Sequence, residues 1–157
     1  YEAEFAFVIG KGGRNIPADK WQDHVFGYMN VNDVSARDIQ LATSQWVMGK
    51  TFDTFCPMGP WIVTADEIAD PHNLDISITV SGEVLQHSNT KHLIFRIPTL
   101  IEYLSSVFTL EPGDVISTGT PAGVGFARKP PRFLRQGDEM IVKVEGLGEL
   151  RNPVVCE

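Results

Sequence analysis

Glu2 and Glu4 stand two residues apart at the head of an apolar run, EAEFAFVI. On an extended strand that spacing projects both carboxylates to one side, about 7 Å apart along the backbone. Like charges so close repel, and each raises the other's pKa. A divalent cation between them removes the penalty, and hard cations such as Mg²⁺, Mn²⁺ and Ca²⁺ seek carboxylate oxygens. A terminal strand with its polar face in water is the other reading of the same pattern.

Three further stretches carry residues suited to chemistry. In NDVSARDIQ, Asp33 ends an extended segment, and Arg37 and Gln40 follow one and two helical turns later if a helix starts at Ser35. A guanidinium and an amide beside an acid suit a ligand bearing a carboxylate. The alternative is helix capping with a surface Asp33–Arg37 pair. In QWVMGKTFDTFCPMGPW, Lys50 follows a glycine among Trp46, Phe52, Phe55 and Trp61. A lysine in apolar surroundings is a candidate oxyanion stabiliser, or a base of lowered pKa, as against a snorkelling surface side chain. STGTPAGVG is not a phosphate loop, because it has no Gly-Lys-Ser/Thr and Pro121 lacks the amide a cradle needs. The Gly119 and Thr120 amides, with the Thr120 hydroxyl, could hold a ligand carboxylate; an ordinary loop at a strand end is the other reading. His24, His72, His87 and His92 form no Ser-His-Asp or His-Glu-x-x-His pattern.

These side chains need a scaffold of short strands. EAEFAFVI alternates, with Glu2, Glu4, Ala6 and Val8 on one face and Ala3, Phe5, Phe7 and Ile9 on the other. After the glycine turn GKGGRN, PADKWQDHVFGY is predicted helical, with Pro17 at its first position and Trp21 and Val25 one turn apart. YMNVNDVS is predicted extended, with Ser35 and Asp38 as a capping box for a short helix. KTFDTF and PWIVT are predicted strands. DISITV and EVLQ form a hairpin about Ser81-Gly82, and RQGDEMIVKVEGLGELRNPVV forms another about Gly146-Leu147-Gly148. PTLIEYLSSVF is the strongest helix, with Pro98 at its start and Leu100, Ile101, Leu104, Val107 and Phe108 as an apolar stripe. DVIST follows as a strand. No regular strand–helix alternation points to a doubly wound sheet. The expected fold is a mainly β, mixed α+β domain over residues 1–157.

Composition narrows the function. The chain has 157 residues, 43% hydrophobic and 21% charged, with a net charge of −7. That is ordinary for one globular domain with a sizeable core. No Lys/Arg cluster suits nucleic acid or an anionic membrane, and no apolar stretch reaches transmembrane length. Cys56 and Cys156 lack metal-ligand spacing and read as reduced thiols. They favour a cytoplasmic protein, and no signal peptide is recognised.

Taken together, YEAEFAFVIGKGGRNI, GYMNVNDVSARDIQ, QWVMGKTFDTFCPMGPW, STGTPAGVG and RKPPRFLRQGD resemble the fumarylacetoacetate hydrolase family, in the family's order and over nearly the whole chain. The resemblance is nearest to the subgroup of acylpyruvate hydrolases, oxaloacetate tautomerases and hydroxyheptadienedioate isomerase-type proteins. It implies a mixed β-sandwich roll with a few short helices, and a homodimer. It also implies that Glu2, Glu4 and Asp33 jointly hold a divalent metal, most often Mg²⁺. Arg37, Gln40, Lys50 and Thr120 match its substrate-contacting positions, with Lys50 the catalytic one; the loop reading adds Gly119 as a substrate-binding residue.

The implied substrate is a small 2-oxo or 2,4-dioxo acid that chelates the metal through its 2-oxo and carboxylate oxygens. From the enolate so stabilised, three outcomes branch: C–C hydrolysis, decarboxylation and keto–enol exchange. The leading expectation is hydrolysis of an acylpyruvate-type substrate. Oxaloacetate tautomerase, decarboxylase or isomerase activity is the alternative, and a non-catalytic scaffold retaining the fold is the second. Family hydrolases carry a His-x-x-Glu dyad upstream of the Glu-x-Glu strand. This chain starts at that strand, so the expectation is a piece lacking the water-activating segment.

Overall fold

The computed structural model describes residues 1–155; the expectation for Cys156 lies outside them. Two four-stranded antiparallel sheets face each other. The first holds β1 (Ala3–Ile9), β2 (Val25–Asn32), β3 (Met58–Thr64) and β6 (Val115–Ser117), in the order β3-β2-β1-β6. The second holds β4 (Asp75–Val80), β5 (Glu83–Asn89), β7 (Glu139–Val144) and β8 (Glu149–Pro153), in the order β5-β4-β7-β8. Two α-helices, α1 (Arg37–Gln40) and α2 (Ile97–Val107), and short 3₁₀ turns complete a mainly β, mixed α+β fold.

β1 alternates as its sequence dictates. Ala3, Phe5, Phe7 and Ile9 enter the core between the sheets, against Ile78, Val80 and Val142. The opposite face is not in water: Ala6 and Val8 join Met29 and Val31 of β2 in a second small cluster, with Cys56 packed against it. β1 is therefore covered on both sides, and acids at its start are drawn inside.

Several local expectations are corrected. Residues 18–24 form a 3₁₀ turn without a buried residue, and Val25 opens β2 instead of continuing a helix from Trp21. The β-prone run VFGYMNVN gains a long ladder with β1, which outweighs the local helical pattern. KTFDTF is not a strand, because Thr54 (φ 67°) and Cys56 (φ 55°) turn the chain through the left-handed region. No capping box forms: α1 begins at Arg37, and the Ser35 hydroxyl donates to the Asp33 carbonyl at 3.0 Å. In α2 the buried positions are Ile97, Ile101 and Ser105, while Val107 and Phe108 are exposed. Ser105 belongs to the inner stripe because its Oγ accepts the Ile16 N–H at 2.9 Å. Both hairpins form as expected; Ser81 and Gly82 share the positive φ (49° and 85°) that a tight two-residue turn requires.

His72 ties the fold together near the start of α2. Its Nε2 accepts the Ile97 N–H at 3.2 Å, and its ring meets Trp21 edge-on. An acceptor there must be unprotonated. Burial, aided by Arg96 and opposed by Asp70, pulls the imidazole below its ordinary value. The unfolded chain therefore takes up a proton more readily than the folded one. The neutral ring's contribution is present above about pH 6.5 and declines as pH falls from there toward the depressed folded value. We expect His72→Gln to flatten the fall in melting temperature between about pH 7 and 5; an unchanged slope would contradict this assignment.

Candidate active site

The β1/β2 ladder explains how acids thirty residues apart come together. Ala3 pairs with Asn32, so the next position outward sets Glu2 opposite Asp33. Two bonds lock that end: Asp33 N–H donates to the Glu2 carbonyl at 2.9 Å, and Glu2 N–H donates to Asn32 Oδ1 at 3.0 Å. Glu2, Glu4 and Asp33 project to the same side, and each offers a carboxylate oxygen within 4.8 Å of the others'. Glu2 and Glu4 are buried, and Asp33 is partly exposed. The reading of a strand with its acids in water does not hold.

Two cations answer the negative charge. Lys50 Nζ bridges Glu2 Oε2 at 2.7 Å and Asp33 Oδ2 at 2.5 Å. Arg37 pairs with Glu2 Oε1 through Nη2 and donates to Gln40 Oε1 at 2.7 Å through Nη1. Burial pushes the Glu2 carboxyl upward, but the hydrogen bonds from Lys50 and Arg37 outweigh it and hold Glu2 below the usual range. Burial likewise pulls Lys50 down, and its bonds to Asp33 and Glu2 more than reverse that, so the ammonium is stabilised. Lys50 is thus no base of lowered pKa. Its neighbours are acids, and Trp46, Phe52 and Trp61 are exposed. It reaches them because Gly49 lets the 46–50 turn lie against α1: a Cβ there would meet the Gln40 backbone N at 2.6 Å.

Glu4 differs from Glu2, having no cation as a partner. Its Oε2 accepts the Ser117 hydroxyl and, at 3.1 Å, the Gly119 N–H. Burial raises its pKa; Ser117 and Gly119 offset this in part, while the Asp33 and Glu2 charges add to it. Three converging carboxylates, one of them raised and lacking a cationic neighbour, form an all-oxygen donor set that fits a hard divalent cation.

The STGTPAGVG loop takes a different part from the one expected. The Gly119 amide is committed to Glu4. The Thr120 hydroxyl donates to the Ala3 carbonyl at 2.9 Å and accepts from Gln86 Nε2 at 2.8 Å. Among the described residues, only the Thr120 N–H of these donors lacks an intramolecular acceptor. Asn32, Ser117 and Gln86 escaped the sequence reading. Asn32 and Ser117 are the first residues of two motifs already singled out, NDVSARDIQ and STGTPAGVG, whereas Gln86 carries no sequence signal.

Two cavities flank the cluster. One of about 1010 Å³ includes Arg37, Phe126, Arg132 and Phe133 in its wall; the other, of about 430 Å³, includes Thr118, Gly119 and Thr120. The carboxylates line neither, and the larger cavity lies to one side of them. Arg37 connects it to Glu2.

Comparison with known proteins fits this geometry. Residues 1–155 match the family described as Fumarylacetoacetate (FAA) hydrolase C-terminal. The chain is 54% identical over 157 residues to "Oxaloacetate tautomerase fahd2, mitochondrial" of Xenopus laevis, spanning 99% of this chain and 49% of that protein. It is 52% identical to "Oxaloacetate tautomerase FAHD2A, mitochondrial" of Homo sapiens, over 99% of this chain and 50% of that protein. The chain thus spans about half the length of these relatives. Among solved structures, maleylpyruvate hydrolase from Sphingobium sp. SYK-6, in complex with manganese (II) ion and pyruvate, superimposes with a TM-score of 0.87 at 41% identity. That match covers 98% of this chain and 53% of the other. The expectation of a cytoplasmic protein is corrected by the relatives, whose names place them in mitochondria. A pair of reduced thiols says nothing about which reducing compartment holds a chain. Among the described residues, no helix is long and apolar enough to cross a membrane. By sequence over residues 1–155 and by fold, the chain belongs to the fumarylacetoacetate hydrolase family.

Proposed function

We propose that this chain carries the catalytic centre of an enzyme that interconverts the enol and keto forms of a small 2-oxo acid, with oxaloacetate the foremost substrate. The observation that carries the reading is the convergence of Glu2, Glu4 and Asp33 on one point, with Lys50 and Arg37 at its edge. A divalent cation held by the three carboxylates would supply Lewis-acid polarisation of the substrate's adjoining carbonyl and carboxylate. Mg²⁺ and Mn²⁺ both suit an all-oxygen set.

The chain's own residues supply binding and charge. Lys50, an ammonium at the edge of the cluster, would neutralise negative charge developing on the substrate oxygen. Arg37 spends one bond each from Nη1 and Nη2 on Gln40 and Glu2, and keeps further donors for a substrate carboxylate. Gln40 holds the guanidinium in plane, and Ser117 and Gly119 orient Glu4. The Thr120 N–H is the loop's donor toward a ligand. Relatives at 52–54% identity named oxaloacetate tautomerases support this reaction over the C–C hydrolysis first expected.

Hydrolysis of an acylpyruvate-type acid is the second reading, favoured by the maleylpyruvate hydrolase resemblance. One assay separates them. Oxaloacetate presented as the enol, and an acylpyruvate, are each followed for loss of enol or dione absorbance and for pyruvate release, with and without Mg²⁺. The proposal expects protein- and metal-dependent enol decay without matching pyruvate release. Pyruvate release from the acylpyruvate at enzymatic rates, without acceleration of oxaloacetate enol decay, would replace it with the hydrolase.

A further inference from the structure

Gln86 lies on β5, in the sheet opposite the acids, and only 1% of its surface is exposed. Its carboxamide is engaged at both ends. Oε1 accepts the Ala3 N–H at 2.9 Å, and Nε2 donates to Thr120 Oγ1 and to the Pro121 carbonyl, both at 2.8 Å. Thr120 Oγ1 donates onward to the Ala3 carbonyl at 2.9 Å. The bonds close a ring from the Ala3 amide through Gln86 and Thr120 back to the Ala3 carbonyl.

The ring's position gives it a consequence. Ala3 is the residue between Glu2 and Glu4, and Gly119, beside Thr120, holds Glu4. The loop is also pressed onto the strand that bears Gln86. A Cβ on Gly123 would meet the Leu85 carbonyl oxygen at 2.3 Å and Gln86 Cγ at 3.2 Å. The Tyr1 hydroxyl donates to the Gly123 carbonyl at 3.0 Å. An apolar side chain of similar length would fill the same space but strand the buried Ala3 N–H and leave the Pro121 carbonyl without this donor. What the carboxamide adds is the linkage between the acid-bearing strand and the loop.

We infer that Gln86 is a positioning residue. It fixes the 118–123 loop against Glu2-Ala3-Glu4, so that the carboxylates that would hold the cation and the Thr120 N–H that would meet the substrate's carboxylate face one site. The inference rests on the reading of Glu2, Glu4 and Asp33 as a cation site. Gln86 touches neither cation nor substrate, and acts through Ala3 and Thr120.

The test compares the full chain with Gln86→Met, which keeps volume and loses every bond, and Gln86→Glu. The glutamate keeps an acceptor for the Ala3 N–H and loses the amide donors to Thr120 and Pro121. Three quantities are read: amide exchange of the metal-free chain by NMR, calorimetric Mn²⁺ affinity, and affinity of the Mn²⁺ form for oxalate, an enolate mimic. Exchange in the 118–123 loop is expected to quicken while the β7–β8 hairpin keeps its protection. Oxalate affinity is expected to fall about 10–100-fold in both variants, the range for partners that orient metal ligands. Mn²⁺ affinity should fall in Gln86→Met and stay within about threefold in Gln86→Glu, where Ala3 is still held. Oxalate and Mn²⁺ affinities within about twofold of wild type in a folded variant would overturn the inference. If Gln86→Met does not fold, Gln86→Glu carries the same readouts. A wild-type chain that binds no Mn²⁺, with loop exchange still quickened in the variants, would keep the ring and overturn the cation reading instead.

Discussion

Asp33→Ala is expected to weaken Mn²⁺ binding by more than about a hundredfold, beyond the range for residues that only orient a ligand. Asp33 supplies one of three converging carboxylates, and the remaining pair, Glu2 and Glu4, would offer two. The substitution should leave the metal-free fold nearly unchanged. Asp33 is the most exposed of the three, and its loss removes repulsion from Glu4 as well as the bond to Lys50. Calorimetric titration beside a metal-free melting curve separates loss of a ligand from loss of the fold. Equal Mn²⁺ affinity in wild type and variant would remove Asp33 from the site.

Lys50→Met is expected to lower turnover by about a hundredfold or more, the usual cost of losing a donor aimed at developing charge. Mn²⁺ affinity should not weaken. The ammonium lies between Glu2 and Asp33, where it competes with a divalent cation for the same oxygens and repels it. Without it, Glu2 retains Arg37 while Asp33 loses its cation, so the metal-free variant should melt lower. Mn²⁺ should then raise its melting temperature more than it raises that of wild type, by linkage. Turnover at the wild-type rate would take Lys50 out of the mechanism.

Much of this site was legible in the sequence because it depends on short-range regularities. Spacing of two on β1 put Glu2 and Glu4 on one side, and alternation separated them from Phe5 and Phe7. That Asp33 joins them follows from the β1/β2 register, which no local pattern states; the expectation came from resemblance and the ladder supplies the cause. The apolar surroundings expected for Lys50 are not there, because its apolar sequence neighbours are not its neighbours in space. Trp46, Phe52 and Trp61 turn outward, while Gly49 brings the lysine to two acids. KTFDTF looked like a strand, and two left-handed residues at Thr54 and Cys56 broke it. Gln86 was invisible, since its significance arises only when the second sheet closes over the first.

The account turns on a cation at Glu2, Glu4 and Asp33, and anomalous scattering from a crystal of the full chain grown with Mn²⁺ reads that directly. The predicted result is a single strong manganese peak among the three carboxylates, absent from Asp33→Ala crystals grown in parallel. No peak there at saturating Mn²⁺, with Lys50 still bridging Glu2 and Asp33, would contradict it.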